Sequence, residues 1–339
     1  MGIDSPELAK FNNASPPPDF NNLPLPYGKK RIDVWEIRER IPIRIWNSTP
    51  LLIPMPDIET RYDEITGDAR YVVEGNALVG DGGMSDVYRA WDKRLGKYVA
   101  VKKMQEWLST DEDSKNLIEL EAKTMTRINH PGIPEIYDFN VVRTPDGKEM
   151  PIMIMQLVEG ESLYGRLNNN KQVPLTLDEI SSIVTQTANT IDFMNKKGLT
   201  HADIKPKNIL LSQPHIKIVD FGSSNWVHEM GTATPGYTAF EVYSGKRDIR
   251  SDEYSLAATV YDILFNNPPP EIGLGIANKK AIESNILDPN KFKISLSKEN
   301  KKKLIKILVK GLAENPDDRY QTSTEFAQEL SKVISTTQS

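Results

Sequence analysis

Two kinds of hydrophobic spacing divide the chain. In the first, short apolar stretches alternate with glycines and charged residues, which is typical of β-strands joined by turns. These stretches lie at 71–74, 77–90, 97–103 and 152–158. In the second, apolar residues recur every three or four positions, which predicts amphipathic helices. These windows lie at 177–194, 251–265, 300–312 and 323–334. We therefore predict a β-rich part followed by a helical part.

One helix is predicted inside the β-rich part, in the window 114–128. Its apolar residues Leu117, Leu120, Met125 and Ile128 have roughly helical spacing. The window follows the strand at 97–103.

The first 69 residues have a different texture. Residues 1–30 are rich in asparagine and proline, which predicts a disordered or extended tail. Residues 31–69 include two runs, R-I-D-V-W-E-I-R and I-P-I-R-I-W, in which apolar and charged residues alternate as in half-buried strands. Pro42 would restrict the second run to an edge strand or a strand start. We expect 31–69 to be a small β accessory segment that packs on a main domain at 70–335.

Composition narrows the function classes. A net charge of −5 over 339 residues gives no reason to expect non-specific nucleic-acid binding. The absence of cysteine excludes disulfides, thiolate metal sites and a cysteine nucleophile, and it fits the cytoplasm. The best apolar run, at 151–158, is strand-sized, so no membrane span is expected.

A glycine-rich stretch, G-D-G-G-M-S-D-V at 80–87, lies between two predicted strands. Glycine allows positive φ and close approach of a ligand, and backbone amides in such a turn can point at phosphate oxygens. Alone, this pattern is more often a plain hairpin turn. Here, however, Lys102 ends the next strand and would bring an ammonium group to the same place. Its carboxylate partner would be Glu121 on the predicted helix, with Glu119 as the competing residue.

A short polar loop, H-A-D-I-K-P-K-N at 201–208, precedes the apolar run 209–211. Asp203 is a candidate general base or hydroxyl-orienting group. Lys205 would neutralise a transferring phosphoryl group, and the Asn208 oxygen suits Mg²⁺. Asp220 follows an apolar strand and would bind the other side of the metal.

Together these stretches resemble the eukaryotic-like (Hanks-type) Ser/Thr protein kinases, most closely their prokaryotic members. The resemblance covers about 70–335. The remaining matches are V-A-V-K at 99–102, D-F-G at 220–222, T-P-G-Y-T-A-F-E at 234–241 and D-E-Y-S-L at 252–256.

The resemblance implies an α+β, bilobal protein kinase fold. It would have a β-rich N-lobe at 70–158 with one main helix and a helical C-lobe at 159–335, preceded by a short β-containing N-terminal extension. It also implies ATP and Mg²⁺ as cofactors, with Mn²⁺ as an alternative metal, and a protein Ser or Thr as substrate, with autophosphorylation as one outcome.

The resemblance also assigns roles to individual residues. Asp203 would orient the substrate hydroxyl, and Lys205 would contact the γ-phosphate. Lys102, paired with Glu121, would hold the α- and β-phosphates. Asn208 and Asp220 would bind the metal. The residues that would cover the nucleotide are Val79, Gly80, Asp81, Gly82, Gly83, Met84, Ser85, Asp86 and Val87. Those around the adenine are Val87, Ala100, Leu210, the gatekeeper Met155, and the hinge residues Gln156 and Val158.

Three further relations follow from the resemblance. Thr234 would lie close to Asp203 and Lys205, and Arg319 would pair with Glu241. A spine through both lobes would consist of Met125, Ile136, His201 and Phe221.

The sequence departs from the family pattern at three places. Ser85 replaces the third glycine of the loop, and Ala239-Phe240-Glu241 replaces Ala-Pro-Glu. Ala202 stands where most regulated members have an arginine, which pairs with a phosphate on the activation segment. We therefore expect that phosphorylation of the segment 220–241 is not the main switch, and that docking of residues 1–69 contributes to regulation.

Two other functions remain open at this point. The chain could be a pseudokinase that binds ATP without turnover, or a kinase for a small molecule. The presence of Lys102, Asp203, Asn208 and Asp220 favours an active enzyme, and the Lys-Pro-x-Asn ending of the polar loop favours a non-specific Ser/Thr protein kinase.

Overall fold

The computed structural model describes residues 70–81, 85–104, 125–126, 128–143, 149–169, 174–221, 233–246, 248–292, 294 and 296–335. The predictions for residues 1–69 lie outside these ranges. So do those for most of the 114–128 helix, including Glu119 and Glu121, and for Gly82, Gly83 and Met84.

The N-terminal part of the described chain is one antiparallel sheet of five strands in the order β1-β2-β3-β5-β4. The strands are Tyr71–Asp81 (β1), Ser85–Asp92 (β2), Lys97–Met104 (β3), Ile136–Arg143 (β4) and Glu149–Gln156 (β5). In the turn between β2 and β3, Gly96 has φ +62° and donates its N–H to the Asp92 carbonyl at 2.8 Å.

The strand β3 lies at the centre of this sheet and is buried on both faces. Its register places Ala100 opposite Met155 and Lys102 opposite Met153, so these four side chains share one face. Val99 and Val101 point to the other face and have no exposed surface. Lys102 therefore follows three buried residues, Val99, Ala100 and Val101.

The C-terminal part is mainly helical, and the four predicted helical windows are confirmed. Its helices are Leu163–Asn168 (α1), Leu177–Lys196 (α2), Phe240–Tyr243 (α3), Ser251–Phe265 (α4), Lys279–Leu287 (α5), Lys298–Gly311 (α6) and Ser323–Ser335 (α7). Short strands complete it: Glu161–Ser162 (β6), Ile209–Ser212 (β7), His215–Ile218 (β8), Glu271–Gly273 (β9) and Ile276–Ala277 (β10). None of the helices among the described residues has the length and apolar character needed to cross a bilayer.

Local signals set the helix ends. The helix α2 begins with a capping box, in which the Thr176 hydroxyl accepts from the Glu179 amide and the Glu179 carboxylate accepts from the Thr176 amide. The first turn of α7 is capped from a distance, because the Asp192 carboxylate of α2 accepts the amides of Ser323 and Thr324.

The helix α4 forms the centre of the C-terminal part. All of its residues from Ser251 to Asp262 are buried, and α2, α6 and α7 contribute apolar residues to the same core. A helix that is buried on every side must place polar side chains only where partners exist. Most of those on α4 have partners, but the Tyr254 and Thr259 hydroxyls and the Glu253 carboxyl group have no hydrogen-bond partner among the described residues.

Glu253 is a carboxyl group in an apolar setting. Its side chain is 1% exposed, and neither carboxyl oxygen has a hydrogen-bond partner. It lies against Gly311, which also packs against Ala257. Burial raises the pKa of Glu253 well above its ordinary value of 4.5, although Arg319 and Lys310 act in the opposite direction.

We predict that Glu253→Met stabilises the fold by about 1–3 kcal/mol at pH 8 and by less at pH 5. The raised pKa means that the folded protein keeps a proton that the unfolded chain releases above about pH 4.5. The wild type therefore loses stability as the pH rises above that value. Denaturant unfolding at both pH values tests this. Glu314→Met, at an exposed position, is the matched control, and an equal gain at both pH values would contradict a protonated Glu253.

Candidate active site

The polar loop 201–208 is held by a single buried carboxylate. Asp252, at the start of α4, accepts the amide of His201 with one oxygen and the amide of Ala202 with the other, both at 2.7 Å. Ala202 has φ +63°, a left-handed conformation that costs a residue with a Cβ about 1–2 kcal/mol. The two hydrogen bonds to Asp252 offset that cost.

Asp252 itself is fully buried. Burial raises its pKa, while the two amide hydrogen bonds oppose the shift. The resemblance of D-E-Y-S-L to the family pattern assigned no role to Asp252. The available signal was an acidic residue at the start of a mostly apolar helix.

Three side chains meet at one end of this loop. The Thr234 hydroxyl donates to Asp203 Oδ1 at 2.9 Å and accepts from Lys205 Nζ at 2.9 Å. Lys205 Nζ also pairs with Asp203 Oδ2 at 2.7 Å. Asp203 is buried, so the ammonium lies close to a carboxylate that water hardly reaches. The prediction that Thr234 lies close to Asp203 and Lys205 is confirmed.

Asn208 closes the loop. Its side-chain nitrogen donates to the Asp203 carbonyl and to Asp203 Oδ2, both at 2.9 Å, which orients the carboxylate. The Asn208 carbonyl accepts the amide of Val219 at 2.9 Å. Since Val219 precedes Asp220, this bond brings Asp220 next to the loop.

Asp220 connects the sheet to the helical part. Lys102 Nζ donates to Asp220 Oδ1 at 3.2 Å, and Asp220 has φ +67°. The charge of Lys102 lowers the pKa of Asp220, so the carboxylate is ionised at neutral pH. Glu121, the predicted partner of Lys102, lies outside the described residues, so this pair stays a prediction.

His201 is a packing residue and not an exposed base. It has no exposed surface, its ring lies 4.7 Å from that of Phe221, and its Nε2 is 3.1 Å from the Val219 carbonyl oxygen. Met125 and Phe221 belong to the same hydrophobic core cluster, and Ile136 packs against that cluster. The predicted contact between His201 and Phe221 in the spine is confirmed.

The predicted nucleotide-contacting residues that the structure describes lie on the sheet and on β7, except Val158, which follows β5. Val87 pairs with Lys102 across β2 and β3, so it shares the sheet face of Ala100 and Met155. Leu210 lies on β7 and is half-buried. The other described members of this set are Val79, Gly80, Asp81, Ser85, Asp86, Gln156 and Val158.

Gly80 does not need to be a glycine in this conformation. Its φ is not positive, and a Cβ there would meet only Val87, at an ordinary 3.7 Å. Positive φ is therefore not a reason for glycine at this position.

The segment after Thr234 is anchored by a buried ion pair. Arg319, 1% exposed, makes two parallel contacts with Glu241, at 2.6 and 2.8 Å, which confirms the predicted pair. Its other donors reach the carbonyls of Ala313, Glu314 and Arg250. Because every donor is used, this buried pair avoids the main cost of an isolated charge.

Comparison with known proteins agrees with this geometry. The protein kinase domain family matches residues 73–331. The chain belongs to this family. It is 30% identical over 269 residues to serine/threonine-protein kinase PknB of Mycolicibacterium smegmatis, which covers 76% of this chain and 42% of that protein. It is 28% identical over 273 residues to the probable serine/threonine-protein kinase PknB of Corynebacterium glutamicum, with 77% and 42% covered.

These relatives are bacterial Ser/Thr protein kinases, as the resemblance to prokaryotic members predicted. The chain spans less than half the length of these two relatives.

The predicted bilobal fold is confirmed by solved structures. The PknI kinase domain of Mycobacterium tuberculosis matches with a TM-score of 0.61 and 24% identity, covering 80% of this chain and 98% of that one. A second PknI kinase domain structure matches with a TM-score of 0.62 and 23% identity, covering 79% and 96%. At this level of identity the likeness concerns the fold.

Proposed function

We propose that the chain is a Ser/Thr protein kinase that transfers the γ-phosphate of ATP to hydroxyl groups of proteins. The observation that carries this proposal is the arrangement of Asp203, Lys205 and Thr234. A hydroxyl there donates to a carboxylate and accepts from an ammonium group. A substrate serine in the same environment would have its proton directed at Asp203 and its oxygen free to attack.

In this proposal each polar side chain of the loop has a separate task. Asp203 orients the substrate hydroxyl and accepts its proton. Lys205 offsets the negative charge of the phosphoryl group in transfer. Asn208 acts as a positioning residue through its two hydrogen bonds to Asp203. Lys102 holds the α- and β-phosphates, with Glu121 as its partner.

The nucleotide would lie beneath the sheet. Val87 and Ala100 would cover one side of the adenine and Leu210 the other. Met155 would act as gatekeeper. The hinge residues Gln156 and Val158 would offer backbone groups to the base.

The residues at the end of the loop fit Mg²⁺. Within the described ranges, His, Cys, Asp and Glu side chains form no group of three or more that could bind a metal. Mg²⁺ does not need such a group, since it binds through one or two carboxylates together with phosphate and water oxygens. Asp220 supplies an ionised carboxylate, and Asn208 would supply its side-chain oxygen. When bound, Mg²⁺ would neutralise charge on the phosphates.

The contacts of Asp203 favour an active kinase over a pseudokinase. A pseudokinase has no need for a base as closely supported as Asp203, whose carboxylate contacts Lys205, Thr234 and Asn208.

We infer that the kinase works in the cytoplasm, where ATP and Mg²⁺ are both available, and that autophosphorylation accompanies its activity.

We predict that Asp203→Asn lowers phosphate transfer from Mg-ATP to a protein substrate by about 10²–10⁴-fold while ATP affinity changes little. The amide keeps the shape of the carboxylate but cannot accept the proton. Radiolabel transfer, phosphoamino-acid analysis and calorimetric titration with ATP measure the two effects. Asp318→Asn, at an exposed carboxylate, is the matched control. Tight ATP binding by the wild type without any transfer would support the pseudokinase alternative.

We further propose that phosphorylation of the activation segment is not the main switch. Ala202 lacks the guanidinium group that would bind a phosphate there. The candidate hydroxyls are those of Ser223, Ser224, Thr232, Thr234 and Thr238.

We predict similar transfer rates for phosphatase-treated and autophosphorylated enzyme, because no arginine precedes Asp203 to bind the new phosphate. Quantitative phosphopeptide mapping would show which hydroxyls are modified in each sample. A several-fold rise on phosphorylation that disappears in Ser224→Ala or Thr232→Ala would contradict this.

A further inference from the structure

The β9–β10 hairpin carries an unusual amount of exposed apolar surface. Ile272 is 72% exposed and Leu274 is 60% exposed, the two largest values for large hydrophobic side chains among the described residues. Single exposed apolar residues are common and need no explanation. Here, however, two lie in one short hairpin, next to Phe240, which is itself 40% exposed.

The hairpin is fixed in place by specific contacts. Gly275 has φ +69°, and a Cβ there would lie 2.4 Å from the Phe240 nitrogen, so only glycine allows this approach. The Gly275 amide donates to the Glu271 carboxylate at 3.2 Å, and the Asn278 amide donates to the Pro270 carbonyl at 2.6 Å. The exposed side chains are therefore presented by a defined backbone.

The same hairpin packs on the segment that leads away from the catalytic residues. Thr234, which contacts Asp203, begins this segment, and Phe240 lies six residues later. Between them, Gly236 packs so closely on Pro268 that a Cβ would lie 2.6 Å from the proline ring. The segment 234–240 therefore connects the surroundings of Asp203 to the hairpin.

Two lysines extend this surface. Lys279 and Lys280 are the first two residues of α5, both are exposed, and the first turn of α5 contains no acidic residue. Cations at a helix N-terminus oppose the helix dipole, so local helix stability does not explain them. They lie just after β10, whose Ala277 pairs with Glu271 beside Ile272.

We propose that Ile272, Leu274 and Phe240, together with Lys279 and Lys280, form a docking surface for protein substrates. We call it the hairpin surface. The segment that fits it carries apolar side chains for the first three residues and carboxylates for the two lysines. This inference rests on the proposed kinase function and specifies its substrate class, since the surface continues the segment that contacts Asp203.

Two synthetic peptides with one serine each test this proposal. In the docking peptide the serine is followed by leucines and glutamates. In the reference peptide those residues are asparagine and glutamine. Fluorescence anisotropy measures binding, and radiolabel transfer measures kcat/KM for each peptide. We expect the wild type to bind the docking peptide at least about tenfold more tightly, and to show the same preference in KM.

Two double variants locate the effect. Ile272→Asn with Leu274→Asn should remove the preference, and Lys279→Glu with Lys280→Glu should remove the part that depends on glutamate. Val141→Asn, at a 56% exposed apolar residue of β4, is the matched control and should keep both. Thermal unfolding would establish that all variants fold.

The two readouts separate the possible failures. Equal binding of both peptides by the wild type, or an unchanged preference in the Ile272 and Leu274 variant, would overturn the hairpin surface. A binding preference that the variants lose, without phosphate transfer to any serine, would support the surface and overturn the proposed kinase activity.

Discussion

The geometry of the site depends on one carboxylate that takes no part in the chemistry. Asp252 binds the amides of His201 and Ala202, and so holds Ala202 in a left-handed conformation. That turn directs His201 into the core and places Asp203 where Lys205, Asn208 and Thr234 can reach it. Without the two hydrogen bonds, this backbone conformation would be unfavourable for an alanine.

The helix α4 holds the other side of the site as well. Its Ser251 hydroxyl donates to Glu241, its Ser255 hydroxyl donates to the Tyr237 carbonyl, and its Asp262 accepts the Tyr237 hydroxyl at 2.6 Å. The polar loop and the segment after Thr234 are thus attached to the same buried helix. Their relative position is fixed by one rigid element, which is the preorganisation that phosphoryl transfer requires.

Part of this arrangement could be predicted from the sequence. The helices at 177–196, 251–265, 298–311 and 323–335 follow from apolar periodicity. The closeness of Thr234 to Asp203, and the pair of Arg319 with Glu241, followed from motif resemblance and not from spacing, because these residues are far apart in sequence.

Other features could not be predicted, and the reasons are physical. The hairpin at 271–277 and the helix at 279–287 are short, so their residues give little periodic signal. The role of Asp252 depends on a tertiary contact across fifty residues with a backbone that is itself unusual. Glu253 shows the limit of hydrophobic patterning, since a glutamate in a helix suggests an exposed face and here it is buried.

The most direct test of this account is the effect of Asp252→Asn on phosphate transfer and on ATP affinity, measured on the same preparation. Asparagine keeps one acceptor oxygen but turns an amide group toward the second backbone N–H. We predict a loss of at least about tenfold in the transfer rate, because Asp203 would be misplaced, with ATP affinity within a few-fold of the wild type. An unchanged transfer rate would contradict the central role of Asp252.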